Sequence, residues 1–228
     1  AGLTGKCIEQ RLDELGVKGN EIDALFITHE HLDHIKGAGI ISRRFDIPIY
    51  ATPGTWEAMK KDIGNISQGN IRFVYNYENC FVNDVCIKPF EIPHDAAEPV
   101  GYNIFVGNSK ISIATDIGHM TDTIKENIAD SDILLIESNH DIEMVKNGPY
   151  PLYLKKRILG DKGHLCNEAA GNALIDVISQ KMKYIYLGHL SEDNNTPHKA
   201  YDTVAKILED KKIKLGKDVF MDLATRYS

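Results

Sequence analysis

The 228 residues, 43% hydrophobic and 26% charged, suffice for one large globular domain with its own core and exclude a fold that needs disulfide staples. A net charge of -7 excludes nucleic acid or anionic membrane being drawn in by bulk charge alone, although two divalent ions would add four positive charges within a site. No apolar run approaches the roughly 20 residues of a membrane span, and no secretory signal is visible. Cys7, Cys80, Cys86 and Cys166 show no C-x-x-C pairing and read as reduced thiols of a cytoplasmic protein.

In chain order, Thr4 is placed to cap a helix whose buried stripe is Ile8, Leu12 and Leu15, with Gly16 as the stop. Residues 24–27 form an apolar, strand-like run that opens into Thr28-His29-Glu30-His31-Leu32-Asp33-His34, and a helix-like run leads out, with Ile40, Ile41 and Phe45 on its apolar face. Residues 48–51 read as a short buried strand, and Thr55 as the cap of a helix that carries Trp56 and Met59 and ends near Gly64. This βαβα order predicts parallel strands covered by helices.

Strand patterns dominate residues 71–115. The runs 71–75 and 85–90 alternate, and the runs 101–106 and 110–115 flank Gly107-Asn108-Ser109, a hairpin signal. Residues 132–137 form a further buried strand. A helix over 168–178 follows, with Asn167 placed to cap it, then a strand over 184–187, a helix over 201–208 and a last strand over 219–223. No repeat, low-complexity linker or long charge run divides the chain, so one domain over residues 1–228 is expected.

Three histidines and an aspartate within six residues after a buried strand carry the chemistry. Imidazole nitrogen and carboxylate oxygen suit zinc and related divalent ions. His29 and His31 can close on one ion while Asp33 and His34 reach a second. Other strand-like runs also end in ligand-type residues: His94, Asp116, Glu137 with His140 close behind, and His189. Strand ends of parallel and mixed sheets collect function at one edge. Singly, each of these histidines is more often structural, and each aspartate a turn residue or helix cap; their recurrence points to a site. Coordination needs assign His29, His31 and His94 to one ion, Asp33, His34 and His189 to the other, and Asp116 as a bridge, because a carboxylate has two oxygens. Water held between the ions, with its pKa lowered to about 7, is the expected nucleophile.

These residues resemble the metallo-β-lactamase superfamily, whose H-x-H-x-D-H motif stands here as His29-Glu30-His31-Leu32-Asp33-His34, with His94, Asp116 and His189 matching its later ligands. The resemblance implies an αββα four-layer sandwich over nearly the whole chain. The family opens with β-strands ahead of the first helix, so those N-terminal strands are expected to be missing from a chain that begins at Ala1-Gly2-Leu3.

The segment 134–140 resembles the glutamate segment of nucleases related to tRNase Z, and 162–169 their G-H-[SL]-x-x-x-A segment. The resemblance implies that His164 donates a proton to the leaving oxygen, supported by Glu137 and Asp33. A plainer reading makes Gly163-His164 a loop ahead of a helix. The tail His189-Leu190-Ser191-Glu192-Asp193-Asn194-Asn195-Thr196-Pro197 is similar to the H-L-S-x-x-N-N-x-P segment of the YycJ/VicX branch, also called WalJ, and Asp116-Ile117-Gly118-His119 looks typical of it. That branch is associated with 5′→3′ exonuclease activity on DNA in bacteria. Ser191, Asn194 and His119 are then candidates for holding substrate phosphate; the plainer reading is a polar loop that caps the next helix.

The expected function is a two-metal phosphodiesterase acting on DNA, with zinc or manganese, or iron, as the ions. The rival enzyme class is thioester or lactone hydrolysis, which needs an apolar acyl pocket and has less use for His164. A metal-stabilised regulatory partner of a two-component signalling system is the non-enzymatic alternative. The best basic cluster, Lys155-Lys156-Arg157 near Lys162, reads first as a solvated helix face.

Overall fold

The computed structural model describes residues 1–224 and shows a mixed α/β architecture. The chain divides into two compact units, one made of residues 1–91 and 96–100, the other of residues 92–95 and the chain from Gly101 onward. Among the described residues, no helix is long and apolar enough to cross a membrane.

The first unit contains the expected βαβα run. Strands β1 (Leu25–Phe26), β2 (Ile49–Ala51) and β3 (Ile71–Phe73) pair in parallel in that order. Helix α1 (Gly5–Glu14) starts at Thr4, whose side chain accepts from Cys7 N. Leu15 does not complete its stripe: it lies beyond the helix and is 77% exposed. The run after the histidines splits into a short helix α2 (Leu32–Ile35) and a longer α3 (Ala38–Phe45), on which Ile40 faces solvent and Ile41 is buried.

Helix α4 (Pro53–Met59) is capped by Thr52, not Thr55. Pro53 has no N–H and a φ already suited to the first helical turn, so it places the cap one residue before itself. Thr52 Oγ1 then accepts from Thr55 N and donates to Glu98 O at 2.8 Å. Ile27, Ile35, Ala38, Ile49, Ala51, Trp56, Met59 and Ile63 form the core beneath these strands and helices. A hairpin of β4 (Cys80–Val82) and β5 (Val85–Glu91) completes the unit; its pairing sets Phe81, not Cys80, opposite Cys86, and both thiols are free, as are Cys7 and Cys166.

In the second unit, β6 (Val100–Val106), which begins on the last residue of the first unit, pairs antiparallel with β7 (Ser109–Ala114) around Gly107-Asn108. Gly107 has φ 56°, the left-handed value a tight hairpin turn demands and glycine supplies without steric cost. Next to β7 lie β8 (Ile133–Glu137), β9 (Tyr184–Gly188) and β10 (Phe220–Leu223), all parallel. Helices α5 (Asp122–Ile128), α6 (Ile142–Asn147), α7 (Leu152–Ile158), α8 (Asn167–Val177) and α9 (Pro197–Asp210) make the crossovers that parallel strands require.

The cap of α8 is Cys166, whose Sγ accepts from Ala169 N, while Asn167 is the first helical residue and fully buried. Its amide is taken up by other partners: Asn167 Oδ1 accepts from Ser138 Oγ at 2.7 Å and from Asn195 Nδ2 at 2.9 Å. A side chain bonded into the interior cannot also reach back over its own helix. Helix α9 begins at Pro197 behind the Thr196 cap, four residues ahead of the apolar stripe that signals it in the sequence. It packs on α8, where Gly171 leaves room for Ile207.

Candidate metal centre

The first unit contributes the histidine loop. β1 feeds directly into it, so His29 is fully buried at the strand's end. His29 Nε2 lies 3.0 Å from His31 Nδ1, and the ring of His34 stands 4.1 Å from that of His29. Thr28 Oγ1 is 3.1 Å from Nδ1 of His29 and 3.3 Å from Nδ1 of His34. A hydroxyl carries one proton and two lone pairs, so this one atom holds both rings by Nδ1 and leaves Nε2 of each as the ligating nitrogen. No role for Thr28 is legible in the motif, although its place directly before the first histidine is the only signal available. Asp33 sits half-exposed in the first turn of α2, its Oδ2 3.8 Å from His34 Nε2. Glu30, between the two histidines, is bonded elsewhere through Oε1, which accepts from Ala97 N at 2.7 Å.

In the second unit, register brings the remaining residues together. Ala114, Ile136 and Leu187 are neighbours across β7, β8 and β9, so Asp116, Glu137 and His189 leave the same edge within two residues of that row. Asp116 and His189 both have left-handed backbones, at φ 61° and 55°. Such conformations are uncommon outside glycine and gather at functional sites. Asp116 Oδ1 lies 3.7 Å from His94 Nε2, 3.4 Å from His189 Nε2 and 3.7 Å from His164 Nδ1.

Glu137 holds this group in place. It is fully buried, and its Oε1 accepts from His164 Nδ1 at 2.9 Å and from His189 Nδ1 at 2.7 Å. Its Oε2 accepts from the backbone N–H of Ile117 at 2.8 Å and of Leu165 at 2.9 Å. Four donors occupy the four acceptor positions of a carboxylate, so Glu137 orients its neighbours and has nothing left to ligate a cation. Burial alone would raise its pKa, but the bonds from His164 and His189 outweigh it and hold the carboxyl well below the usual range. The same pair acts on His164, where burial disfavours the imidazolium and the Glu137 bond overrides it, so the pKa is raised. The His189 contact is invisible in the sequence, where 52 residues separate the partners.

His94 Nδ1 is tied to Gly163 O at 3.0 Å, which orients its Nε2 in the same way. A Cβ at Gly163 would lie 2.2 Å from Ile158 O, so only glycine allows the turn that presents this carbonyl. Burial lowers the His94 pKa and keeps the ring in the neutral form that ligates metal. Burial also raises the Asp116 pKa, against the pull of His189. Asp116, Glu137, His164 and His189 each bring an atom within 4.8 Å of the others, but Glu137 is spent on its four donors and His164 Nδ1 on Glu137, which leaves Asp116 and the Nε2 atoms of His94 and His189 as the donors. Ring nitrogens with their outer positions fixed by a carboxylate or a carbonyl, around a buried aspartate, are a donor set that fits a divalent cation.

The candidate substrate residues are placed differently from one another. Ser191 Oγ accepts from Asn194 N at 3.1 Å, and Asn194 is fully buried, so Asn194 shapes the loop behind Ser191. His119 is exposed, with Nδ1 donating to Asp161 O at 2.8 Å. Asn195, without a role in the sequence reading, ties three segments together: its amide donates to Ser138 O at 2.9 Å and to Asn139 O at 3.0 Å, and bonds to Asn167.

A family model described as a beta-lactamase superfamily domain matches residues 8–186, and the chain belongs to this family. Among its relatives is the exodeoxyribonuclease YycJ of Bacillus anthracis, 41% identical over 217 residues that cover 95% of this chain and 82% of that protein. The exodeoxyribonuclease WalJ of Streptococcus pneumoniae serotype 2 is 36% identical over 220 residues, covering 96% and 82%. Of solved structures, the metallo-beta-lactamase fold protein YhfI from Bacillus subtilis aligns with a TM-score of 0.68 over 93% of this chain and 80% of that one, at 15% identity, which speaks for the fold alone.

Proposed function

We propose that this protein is a metal-dependent phosphodiesterase that removes nucleotides from DNA ends in the 5′→3′ direction. The observation that carries this is the buried Glu137 carboxylate bonded at once to His164 and His189. Together with membership of a hydrolase family and relatives named as exodeoxyribonucleases, it favours phosphoester over acyl chemistry, since acyl transfer has less need of a proton donor such as His164.

His29, His31 and His94 would hold one ion, Asp33, His34 and His189 a second, with Asp116 shared between them. Histidine and carboxylate donors accept zinc, manganese or iron. When bound, such ions supply positive charge for the phosphoryl group and lower the pKa of water to about 7. Attack by water forms one P–O bond and breaks the bond to the leaving 3′ oxygen. That oxygen takes its proton from His164 Nε2, while Glu137, with Asp33 in support, holds the ring by Nδ1. Ser191 and His119 are the substrate contacts, and Asn194 acts through Ser191. The family match over residues 8–186 supports reading residues 1–228 as one domain. The free thiols accord with a reducing cytoplasm.

Metal analysis combined with digestion of 5′- and 3′-end-labelled DNA and RNA, single- and double-stranded, tests the reading. Release of mononucleotides from the 5′ end of DNA in the presence of zinc or manganese is the expected result. Hydrolysis of a thioester with no action on any oligonucleotide would overturn it.

A further inference from the structure

His164 borders a space that the proposed reaction leaves unused. A pocket of about 210 Å3 in the second unit is lined by His164 and by Met120, Ile142, Leu159, Leu165 and Ala169, with His119 and His140 as its polar members and Cys166 beside them. Among its described lining residues there is no lysine or arginine. Its volume is below the roughly 300–1,000 Å3 of sites that enclose drug-sized ligands, so it has room for one flat ring system and not for a run of nucleotides.

We infer that this pocket receives the base of the nucleotide whose 3′ oxygen leaves, an inference that rests on the nuclease reading above. A proton donor must come within about 2.6–3.2 Å of the oxygen it protonates. The sugar bearing that oxygen is therefore beside His164, and its base is one ring further on. A phosphate in this apolar space would be desolvated with no lysine or arginine to pair with, since the one proton His164 has to give goes to the leaving oxygen. A base has apolar faces for Met120 and Leu159 and a polar edge, the combination that snug base pockets use. His119 adds the edge contact. Its Nδ1–H is spent on Asp161 O, so in the neutral ring Nε2 accepts, which suits an exocyclic amino group.

Ala169 lies in the first turn of α8 and lines the pocket, so Ala169→Leu fills it with a good helix former. Leu159→Ala is the second variant; the residue is 42% exposed, and its truncation opens the wall with little risk to folding. The substrates are two DNA oligonucleotides, one ordinary and one whose 5′-terminal residue is an abasic tetrahydrofuran analogue. The wild-type full chain, loaded with zinc or manganese, is expected to favour the ordinary end by about 10-fold or more in kcat/KM, the scale on which an apolar pocket discriminates. In both variants that ratio falls toward one. A wild-type ratio near one, or a ratio that neither variant changes, would overturn the inference while leaving the nuclease reading in place. Hydrolysis of bis(p-nitrophenyl) phosphate without cleavage of either oligonucleotide would instead remove the nuclease reading and this inference with it.

Discussion

Glu137 and His189 meet through a 2.7 Å hydrogen bond from Nδ1 to Oε1, on the same oxygen that takes His164. One carboxylate therefore sets the tautomer of a candidate metal ligand and of the candidate proton donor. Glu137→Gln keeps the volume but replaces one acceptor oxygen with a donor, so it faces either a ring N–H or a backbone N–H with another donor. Loss of such an outer-shell partner typically costs 10–100-fold in metal affinity. Chelator-competition titration of zinc should show a loss of about that size; unchanged affinity would mean that His189 needs no partner.

His164 carries a different burden. It is bonded through Nδ1 to Glu137 and is not in the proposed ligand set. His164→Ala should lower turnover on DNA by about 10² to 10⁴, the usual worth of a general acid, while metal content measured on the same sample stays at the wild-type level. Equal loss of metal and activity would place His164 among the ligands.

Asn195 holds the loops after β8 and β9 to the start of α8. Asn195→Ala strands the Ser138 carbonyl and leaves that of Asn139 only its bond from Ser191 N. Such unsatisfied groups cost about 1–3 kcal/mol, so the urea midpoint should fall accordingly with an unchanged m-value. A change below about 0.5 kcal/mol, the size of an ordinary surface substitution, would show that water replaces the amide.

Acid should weaken the fold through His140. Burial pushes its pKa down from 6.5 to about 4, against the pull of Glu137 and Asp141 and with help from His164. Between these pH values the unfolded chain binds a proton that the folded chain refuses, so stability rises with pH across this window. The contribution is complete above pH 6.5 and lost by about pH 4, a difference of about 3 kcal/mol. Urea unfolding at pH 7.5 and pH 5 should therefore show a smaller loss on acidification in His140→Gln than in the wild type. Parallel losses in the two proteins would show that His140 titrates normally.

The basic stretch of α7 is predicted to be a solvated face. Arg157 already pairs with Asp95, at 3.1 Å through Nη2, and Lys155 Nζ donates to Lys146 O at 2.7 Å. Removing Lys156 and Lys162 together should leave the slope of log K against log salt for DNA binding unaltered. Each phosphate contact truly lost would flatten it by about 0.9 for duplex DNA.

The amino-acid sequence alone determined the histidine loop and most of the strands, because ligands packed into His29-Glu30-His31-Leu32-Asp33-His34 and alternation along strands are local patterns, but it left β4, α5, α6 and the bounds of α7 unmarked. It also marked Asp116, Glu137 and His189 as strand-end residues. Local pattern erred where a distant partner competes: Asn167 is drawn inward by Ser138 and Asn195 and cannot cap α8. Only tertiary structure decided that Glu137 also takes His189, that Thr28 braces two imidazoles, and that a pocket opens beside His164. These depend on the register of β7, β8 and β9 and on which side chains the buried edge brings within about 3 Å, the reach of a hydrogen bond. Nothing in the spacing of residues along the chain encodes that distance directly.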